Sequence, residues 1–236
     1  MPKLRLDKFL ADQGLASRKE LREIIRSGRV SVNGAAVKSA DWKVDPENDQ
    51  ICLDGNAICS SSVHTLMLYK PLGVVSATED KNDKTVLDLV PLEYRRMGLV
   101  PVGRLDKDTS GLLLLSNDGD FLHRVISPKS AVEKCYYATV DGEPTELDVK
   151  AFREGLLLRD GTKCMPAQLE LLGNGRCLVR VTEGKYHQVR RMLASRGLPV
   201  KELKRLSIGD LHLDEDLGPG GWKELDQEDL CRVFRT

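Results

Sequence analysis

One short segment combines a reactive residue type with a pattern that would hold it rigidly. Residues 103–111 read GRLDKDTSG and lie between two apolar runs, residues 99–102 and 112–115. Two apolar runs joined by a polar segment bounded by glycine predict two β-strands and a connecting loop. Because a loop held between strands often carries function, the carboxylate of Asp106 is the candidate functional group.

The same segment also has a purely structural interpretation. Asp, Thr, Ser and Gly are ordinary turn formers, since their side chains bond nearby backbone groups or tolerate left-handed conformations. Turn chemistry alone therefore does not distinguish a catalytic Asp106 from an ordinary loop residue.

The longer motif around Asp106 resembles a family signature. Residues 103–119 follow the pattern Gly-Arg-Leu-Asp-x-x-Thr-x-Gly-Leu-Leu-Leu-Leu-x-Asn-Asp-Gly, which is similar to the signature of the pseudouridine synthases. Ser116 stands where the family usually has Thr, and both residues carry a hydroxyl. The resemblance implies that Asp106 is the nucleophile of a uridine isomerase.

Three further segments resemble motifs of the same family. Residues 70–73 (KPLG) are similar to its first motif, interpreted here as a structural turn. Residues 133–136 (EKCY) resemble the motif whose tyrosine stacks on the target base, which implies that role for Tyr136. Residues 183–192 (EGKYHQVRRM) resemble the third motif, whose arginine pairs with the catalytic aspartate and corresponds to Arg190.

Each of these residues has a plainer alternative. A lone tyrosine on a strand is more often part of the core, and Arg190 followed by another arginine is typical of a solvated surface. The assignment of Tyr136 as the base platform therefore depends on the resemblance, and Tyr186 is the first alternative for this role.

The reaction implied by the resemblance requires these residue types. Uridine must lose its N-glycosidic bond, turn and rejoin through carbon, which needs a nucleophile, a nearby cation, a platform for the base and a late proton acceptor. Arg190 would lower the pKa of Asp106 and orient it. The base must be flipped out of its stack, and Arg104 would enter the space it leaves, with Lys185 also binding substrate. No electrons move and no group is donated, so neither a cofactor nor a metal is expected.

A basic helix near the N-terminus predicts a second RNA contact. Arg18, Arg22 and Arg26 recur every four residues and share one helix face, and residues 1–40 hold nine Lys/Arg against four Asp/Glu although the net charge is +0. A charged face is usually only solvated. Residues 3–50, however, resemble the alpha-L motif, a small RNA-binding domain, which implies that these arginines bind phosphates without reading sequence.

Hairpin signals outnumber βαβ patterns, so the expected fold class is α+β with a mostly antiparallel sheet. Strands are expected at 64–69, 74–76, 134–140, 156–158, 167–172, 177–181, 200–206 and 211–213, and helices at 85–90, 120–127, 144–153 and 187–196. The serine run 60–62 is the best linker candidate, which divides the chain into an RNA-binding domain at 1–59 and a catalytic domain at 60–236.

Composition limits the remaining functional classes. No uninterrupted apolar run reaches 18 residues and the first residues lack a signal-peptide core, so a cytoplasmic protein with no membrane contact is expected. The six cysteines form no C-x-x-C pair and have no histidine at ligand spacing, which indicates neither a zinc site nor a redox motif.

The resemblance covers nearly the whole chain and is strongest to the small-ribosomal-subunit pseudouridine synthase family. It implies a monomer that acts on 16S ribosomal RNA or on a small-subunit assembly intermediate. A large-subunit synthase of the same family and a non-catalytic RNA-binding or ribosome-assembly protein are the alternatives. The sequence leaves open the target uridine and whether Asp106 attacks the uracil ring or the ribose.

Salt dependence tests the arginine face. Replacement of Arg18, Arg22 and Arg26 by Ala is expected to weaken binding to most RNA sequences alike, because phosphate contacts carry no sequence information. The slope of log K against log salt should fall by about 0.7 to 0.9 unit for each arginine that contacts a phosphate. An unchanged slope in the triple variant would leave this face as merely solvated.

Overall fold

The computed structural model describes residues 3–46, 48–58 and 63–235. Within these residues the strands are β1 Leu4–Arg5, β2 Val30–Val32, β3 Ala35–Ala36, β4 Lys43–Val44, β5 Ile51–Leu53, β6 Asn56–Ala57, β7 Thr65–Lys70, β8 Val100–Pro101, β9 Ser110–Ser116, β10 Lys134–Val140, β11 Gln168–Gly173, β12 Arg176–Val181, β13 Val200–Ile208, β14 Leu211–His212 and β15 Trp222–Glu224. The α-helices are α1 Leu6–Asp12, α2 Arg18–Arg26, α3 Leu92–Arg96, α4 Gly119–Ile126, α5 Glu146–Glu154, α6 Gln188–Ser195 and α7 Gln227–Arg232. Of the residues described, no helix has the length and apolarity needed to span a bilayer.

The chain divides into two compact units, Met1–His64 with Val90–Leu99 and Thr65–Leu89 with Val100–Thr236. The linker expected at 60–62 lies outside the described residues, so the division at residue 60 stays a prediction. The first unit also takes in residues 90–99, which the sequence had assigned to the second domain.

Local sequence signals account for the first unit. The Ser17 side chain accepts a hydrogen bond from the backbone of Glu20, whose carboxylate accepts one from the backbone of Ser17, and this capping box begins α2. Asn33 and Gly34 have φ of 51° and 80°, as a tight hairpin between β2 and β3 requires. Four strands of this unit form a sheet in the order β3-β2-β5-β6.

The described part of the second unit contains one sheet in the order β11-β12-β10-β13-β9-β7-β15, with β14 beside β13 and β8 beside β9. All strand pairs are antiparallel except β13 with β9. Residues of α5 and α6 pack with β10 to β13 in one core cluster, and residues of α4 pack with β7 and β9 in another. The expected α+β fold on a mostly antiparallel sheet is confirmed.

Three expected elements differ from the structure. The expected strand at 74–76 is a loop in which only Val75 forms a bridge, to Thr85, and residues 156–158 form only the bridge of Leu157 to Lys163. The expected helix at 85–90 is a 3₁₀ turn, Val86–Leu89. The Ser76 hydroxyl bonds the backbone of Leu105 in place of a strand ladder, at 2.8 Å to its carbonyl and 3.0 Å to its nitrogen.

A buried lysine holds the loop between β8 and β9. Lys70 is fully buried, and its Nζ donates to the carbonyl oxygens of Pro71 at 3.0 Å, Asp106 at 3.0 Å and Thr109 at 2.8 Å. Burial lowers the pKa of this ammonium to about 8, although Asp106 and Asp108 oppose the shift. The turn expected at residues 70–73 thus carries a cation that fixes the predicted loop.

Gly111 permits the single parallel pairing in the sheet. Its φ is +105°, and a Cβ at this position would lie 2.2 Å from the carbonyl oxygen of Arg205 on β13. No side chain fits between the two backbones. The close approach brings β13 against the end of the loop at the point where β9 begins.

Gly111→Ala is expected to lower the free energy of unfolding by at least about 2 kcal/mol, because it adds a steric clash to a strained φ. Urea unfolding measures the loss. Gly119→Ala is the matched control, since a Cβ there meets nothing within 4 Å. A Gly111→Ala protein as stable as the control would contradict the close approach.

Lys70→Met is expected to change the pH dependence of stability. The pKa of Lys70 is about 8 in the folded chain against an ordinary 10.5, so between these values the unfolded chain retains a proton that the folded chain has released. This group therefore makes the free energy of unfolding rise with pH, by up to about 1.4 kcal/mol per pH unit.

Urea unfolding of wild type and variant from about pH 7 to about pH 10 measures this difference. The stability of the wild type relative to Lys70→Met should increase with pH across the window. A constant difference would contradict the lowered pKa of Lys70.

Candidate active site

Asp106 lies where the sequence predicted, on a loop between two antiparallel strands. β8 pairs with β9 through Val100 with Ser116 and Pro101 with Leu115. The backbone carbonyl of Asp106 bonds to Lys70, while its carboxylate remains 30% exposed. The loop therefore presents a fixed carboxylate to solvent, as a nucleophile requires.

The His187 imidazole lies next to the Asp106 carboxylate. Its Nε2 lies 3.4 Å from Asp106 Oδ1. His187 directly precedes α6 and has a left-handed backbone with φ 48° and ψ 34°, a conformation that is uncommon for a residue with a side chain. The sequence did not single out His187, although it lies within the motif at 183–192.

Arg190 does not form the expected pair with Asp106. Its Nη2 lies 3.0 Å from Asp108 Oδ2 and donates to the Asp108 carbonyl at 2.7 Å, with Thr109 Oγ1 at 3.5 Å. The expectation was wrong because the guanidinium bonds the backbone and side chain two residues further along the loop. Arg190 thus ties α6 to the loop of Asp106.

A small pocket of about 80 Å³ brings the three predicted catalytic residues together. Its lining includes Asp106, Tyr136 and Arg190, and also Arg104 and Lys185. A larger cleft of about 1030 Å³ shares all of these except Arg190. Residues far apart in the sequence thus line neighbouring parts of one pocket and one cleft.

Tyr136 faces a buried arginine on the neighbouring strand. In the register of β10 and β13, Tyr136 is opposite Arg205, next to an irregularity in the pairing that follows Cys135. Arg205 is 4% exposed, donates from Nε to the Leu112 carbonyl at 2.8 Å and lies with Nη1 3.5 Å from Tyr136 Oη. The sequence did not indicate Arg205, because nothing in its local pattern marks a buried cation.

Lys185 belongs to a network that fixes the segment before α6. Its Nζ lies 2.7 Å from Glu183 Oε2 and donates to the Lys163 carbonyl at 2.6 Å. Glu183 also accepts from Gln188 Nε2 at 2.7 Å and from the Met165 backbone at 2.9 Å. Burial opposes the ionisation of Glu183, but these hydrogen bonds and Lys185 outweigh it and lower its pKa.

Arg104 is exposed beside Asp106 and lines both the pocket and the cleft. Within the described part of the chain it forms no ion pair, so its guanidinium is available to a ligand. The same range contains no group of three or more His, Cys, Asp or Glu side chains that could hold a metal ion.

The predicted arginine face is exposed on α2 in the first unit. Arg22 is partly neutralised there, since its Nε lies 3.5 Å from Asp7 Oδ2. Arg18 and Arg26 form no ion pair with any residue the structure describes. The side chain of Asp7 is only 5% exposed and also accepts two hydrogen bonds from Arg5, which lower its pKa despite burial.

Known proteins match the whole chain. Residues 64–195 match the family described as RNA pseudouridylate synthase, and residues 4–51 match the S4 domain. An uncharacterized RNA pseudouridine synthase of Bacillus subtilis (strain 168) is 41% identical over 231 residues, which cover 96% of this chain and 97% of the relative. The ribosomal small subunit pseudouridine synthase A of Escherichia coli (strain K12) is 39% identical over 236 residues, covering 98% and 100%.

A solved structure is similar along the same length. The crystal structure of a pseudouridylate synthase aligns with a TM-score of 0.69 at 37% identity and covers 98% of this chain and 99% of its own. The two relatives are similar to this chain over nearly its full length, and the family match at residues 64–195 includes Asp106. The chain therefore belongs to the RNA pseudouridylate synthase family, an isomerase family, and carries an S4 domain before its catalytic unit.

Proposed function

We propose that this enzyme isomerises a specific uridine of small-subunit (16S) ribosomal RNA to pseudouridine, with Asp106 as the nucleophile. The observation that carries the proposal is the position of the Asp106 carboxylate, held on a braced loop in the same pocket as Tyr136. The choice of RNA rests on the similarity to relatives named ribosomal small subunit pseudouridine synthase A.

The reaction exchanges one bond to the sugar for another. The bond from C1′ of the ribose to N1 of uracil breaks, the bond from C1′ to C5 forms, C5 loses its hydrogen as a proton, and N1 takes up a proton. Asp106 attacks either the uracil ring or C1′, and its departure regenerates the free carboxylate. In this proposal Tyr136 takes part in the late proton removal, and Arg205 Nη1 lies 3.5 Å from its phenol oxygen.

Substrate access requires base flipping, since the target bonds lie within a stacked nucleotide. Tyr136 supplies the platform for the flipped uracil, and the unpaired guanidinium of Arg104 fills the space that the base leaves. Lys185, which also lines this pocket, binds the substrate. Arg190 serves catalysis by positioning the Asp106 loop through Asp108 and Thr109.

The S4 domain supplies affinity for the RNA backbone. Arg18 and Arg26 contact phosphates, and Arg22 does so more weakly because Asp7 competes for it. The substrate is 16S ribosomal RNA or a small-subunit assembly intermediate, the enzyme works as a monomer, and the reaction takes place in the cytoplasm with the assembling ribosome.

Asp106→Asn tests the nucleophile, since it keeps the shape of the side chain and removes its charge. Turnover should fall by at least about three orders of magnitude, which corresponds to about 4 kcal/mol of transition-state stabilisation. The measurement is tritium release from 16S transcript labelled at C5 of uridine, because only isomerisation removes that hydrogen. RNA affinity and melting temperature should stay near those of the wild type.

Asp120→Asn is the matched control, because Asp120 is exposed at the start of α4. Comparable turnover in Asp106→Asn and this control would exclude Asp106 as the nucleophile. A parallel assay on 23S transcript distinguishes the large-subunit alternative, and binding to 16S transcript without tritium release from either RNA would indicate a non-catalytic RNA-binding protein.

A further inference from the structure

A second cavity lies beside the catalytic cleft and has no part in the chemistry described so far. It has a volume of about 550 Å³ and is lined by residues of the 158–160 turn, by residues of α6 and by Tyr186. Volumes in this range are typical of sites for small organic groups. Tyr186 also lines the cleft of Asp106, so the two spaces share one wall.

Arg191 fixes the walls of this cavity. Its Nη2 lies 2.5 Å from Asp160 Oδ2 and 3.5 Å from Thr162 Oγ1, and its Nη1 donates to the Tyr186 carbonyl at 3.2 Å. One guanidinium thereby connects α6, the turn and the segment before the helix. The cavity is preformed, which reduces the entropy that a ligand must overcome on binding.

Tyr186 presents an unusually accessible aromatic ring. It is 76% exposed, yet its ring stacks on that of His187 with centroids 3.9 Å apart and an angle of 16° between the planes. His187 Nε2 in turn lies 3.4 Å from Asp106 Oδ1. The ring is thus held on one face and open on the other, which is the arrangement of a stacking platform for a nucleobase.

The charges at the cavity suit an RNA chain. Arg159 is exposed and forms no ion pair within the described ranges, while the carboxylate of Asp160 is neutralised by Arg191. Arg159 and Tyr186 line the same cavity, and single-stranded RNA sites combine these two residue types, the cation for a phosphate and the ring for a base.

We infer that this cavity binds a nucleotide that flanks the target uridine, with its base stacked on Tyr186 and its phosphate contacted by Arg159. The inference rests on the proposed function, because it needs an RNA strand whose target base enters the cleft of Asp106. It adds a second, neighbouring base contact that helps to hold the RNA strand in position beside the target.

The experiment combines Tyr186 variants with altered RNA. The probes are RNA oligonucleotides centred on the uridine that the wild-type enzyme modifies in 16S transcript, and matched versions in which one flanking nucleotide lacks its base. Dissociation constants and single-turnover rates are measured for wild type, Tyr186→Ala and Tyr186→Phe. Tyr186→Phe keeps the ring and should bind as the wild type does.

Tyr186→Ala should raise the Kd for intact RNA by about tenfold or more, within the range of one lost stacking contact. Removal of one particular flanking base should weaken RNA binding by the wild type by a similar factor. It should have no further effect on RNA binding by Tyr186→Ala, since the two changes delete the same contact. Arg159→Ala should reduce the salt slope of binding, whereas Arg153→Ala, which removes an exposed arginine on α5, should not.

Three outcomes would overturn the inference. Independent effects of Tyr186→Ala and of base removal at every flanking position would show that no flanking base stacks on the ring. If Tyr186→Ala loses turnover while its Kd for RNA is unchanged, Tyr186 only supports His187 and does not bind a base. A wild-type enzyme that modifies no uridine at all would contradict the proposed function first, and is recognised by the absence of tritium release.

Discussion

The loop between β8 and β9, which carries Asp106, depends on one ammonium group buried behind it. Moving a charge out of water costs several kcal/mol, so Lys70 is tolerated in the interior only because the carbonyls of Pro71, Asp106 and Thr109 take the place of water. Those bonds turn the loop backbone inward and leave the Asp106 carboxylate at the cleft. Ser76 adds two bonds to Leu105, so the loop is fixed on its inner side before any substrate arrives.

The outer side of the same loop is held by elements from the other end of the catalytic unit. Arg190 of α6 bonds Asp108, and β13 runs parallel to β9 through the space left by Gly111. Because β13 also neighbours β10, Arg205 reaches both the Leu112 carbonyl and the Tyr136 phenol. One buried guanidinium therefore connects β9, which follows the Asp106 loop, to the phenol of Tyr136.

Local sequence patterns correctly predicted the structural features that depend on neighbouring residues alone. The capping box at Ser17, the hairpin at Asn33 and the strand pair around Asp106 follow from side chains that act on their own neighbourhood. The sequence could not indicate which acid Arg190 would meet, since Asp106 and Asp108 are two residues apart and only tertiary packing distinguishes them. The left-handed backbone of His187 and the burial of Lys70 and Arg205 likewise depend on long-range contacts. The apolar residues at 74–76 and 156–158 fit short strands by pattern, but each segment forms only an isolated bridge.

The parallel pairing of β13 with β9 also sets the order of assembly. Arg205 and Leu112 are bonded although they lie 93 positions apart in the chain, and contacts of such separation form late because the loop between them must first be closed. During synthesis Asp106 emerges long before β13, so a nascent chain on the ribosome has the Asp106 loop without the strand that fixes it. The final arrangement of the Asp106 loop is thereby delayed until β13 has been translated.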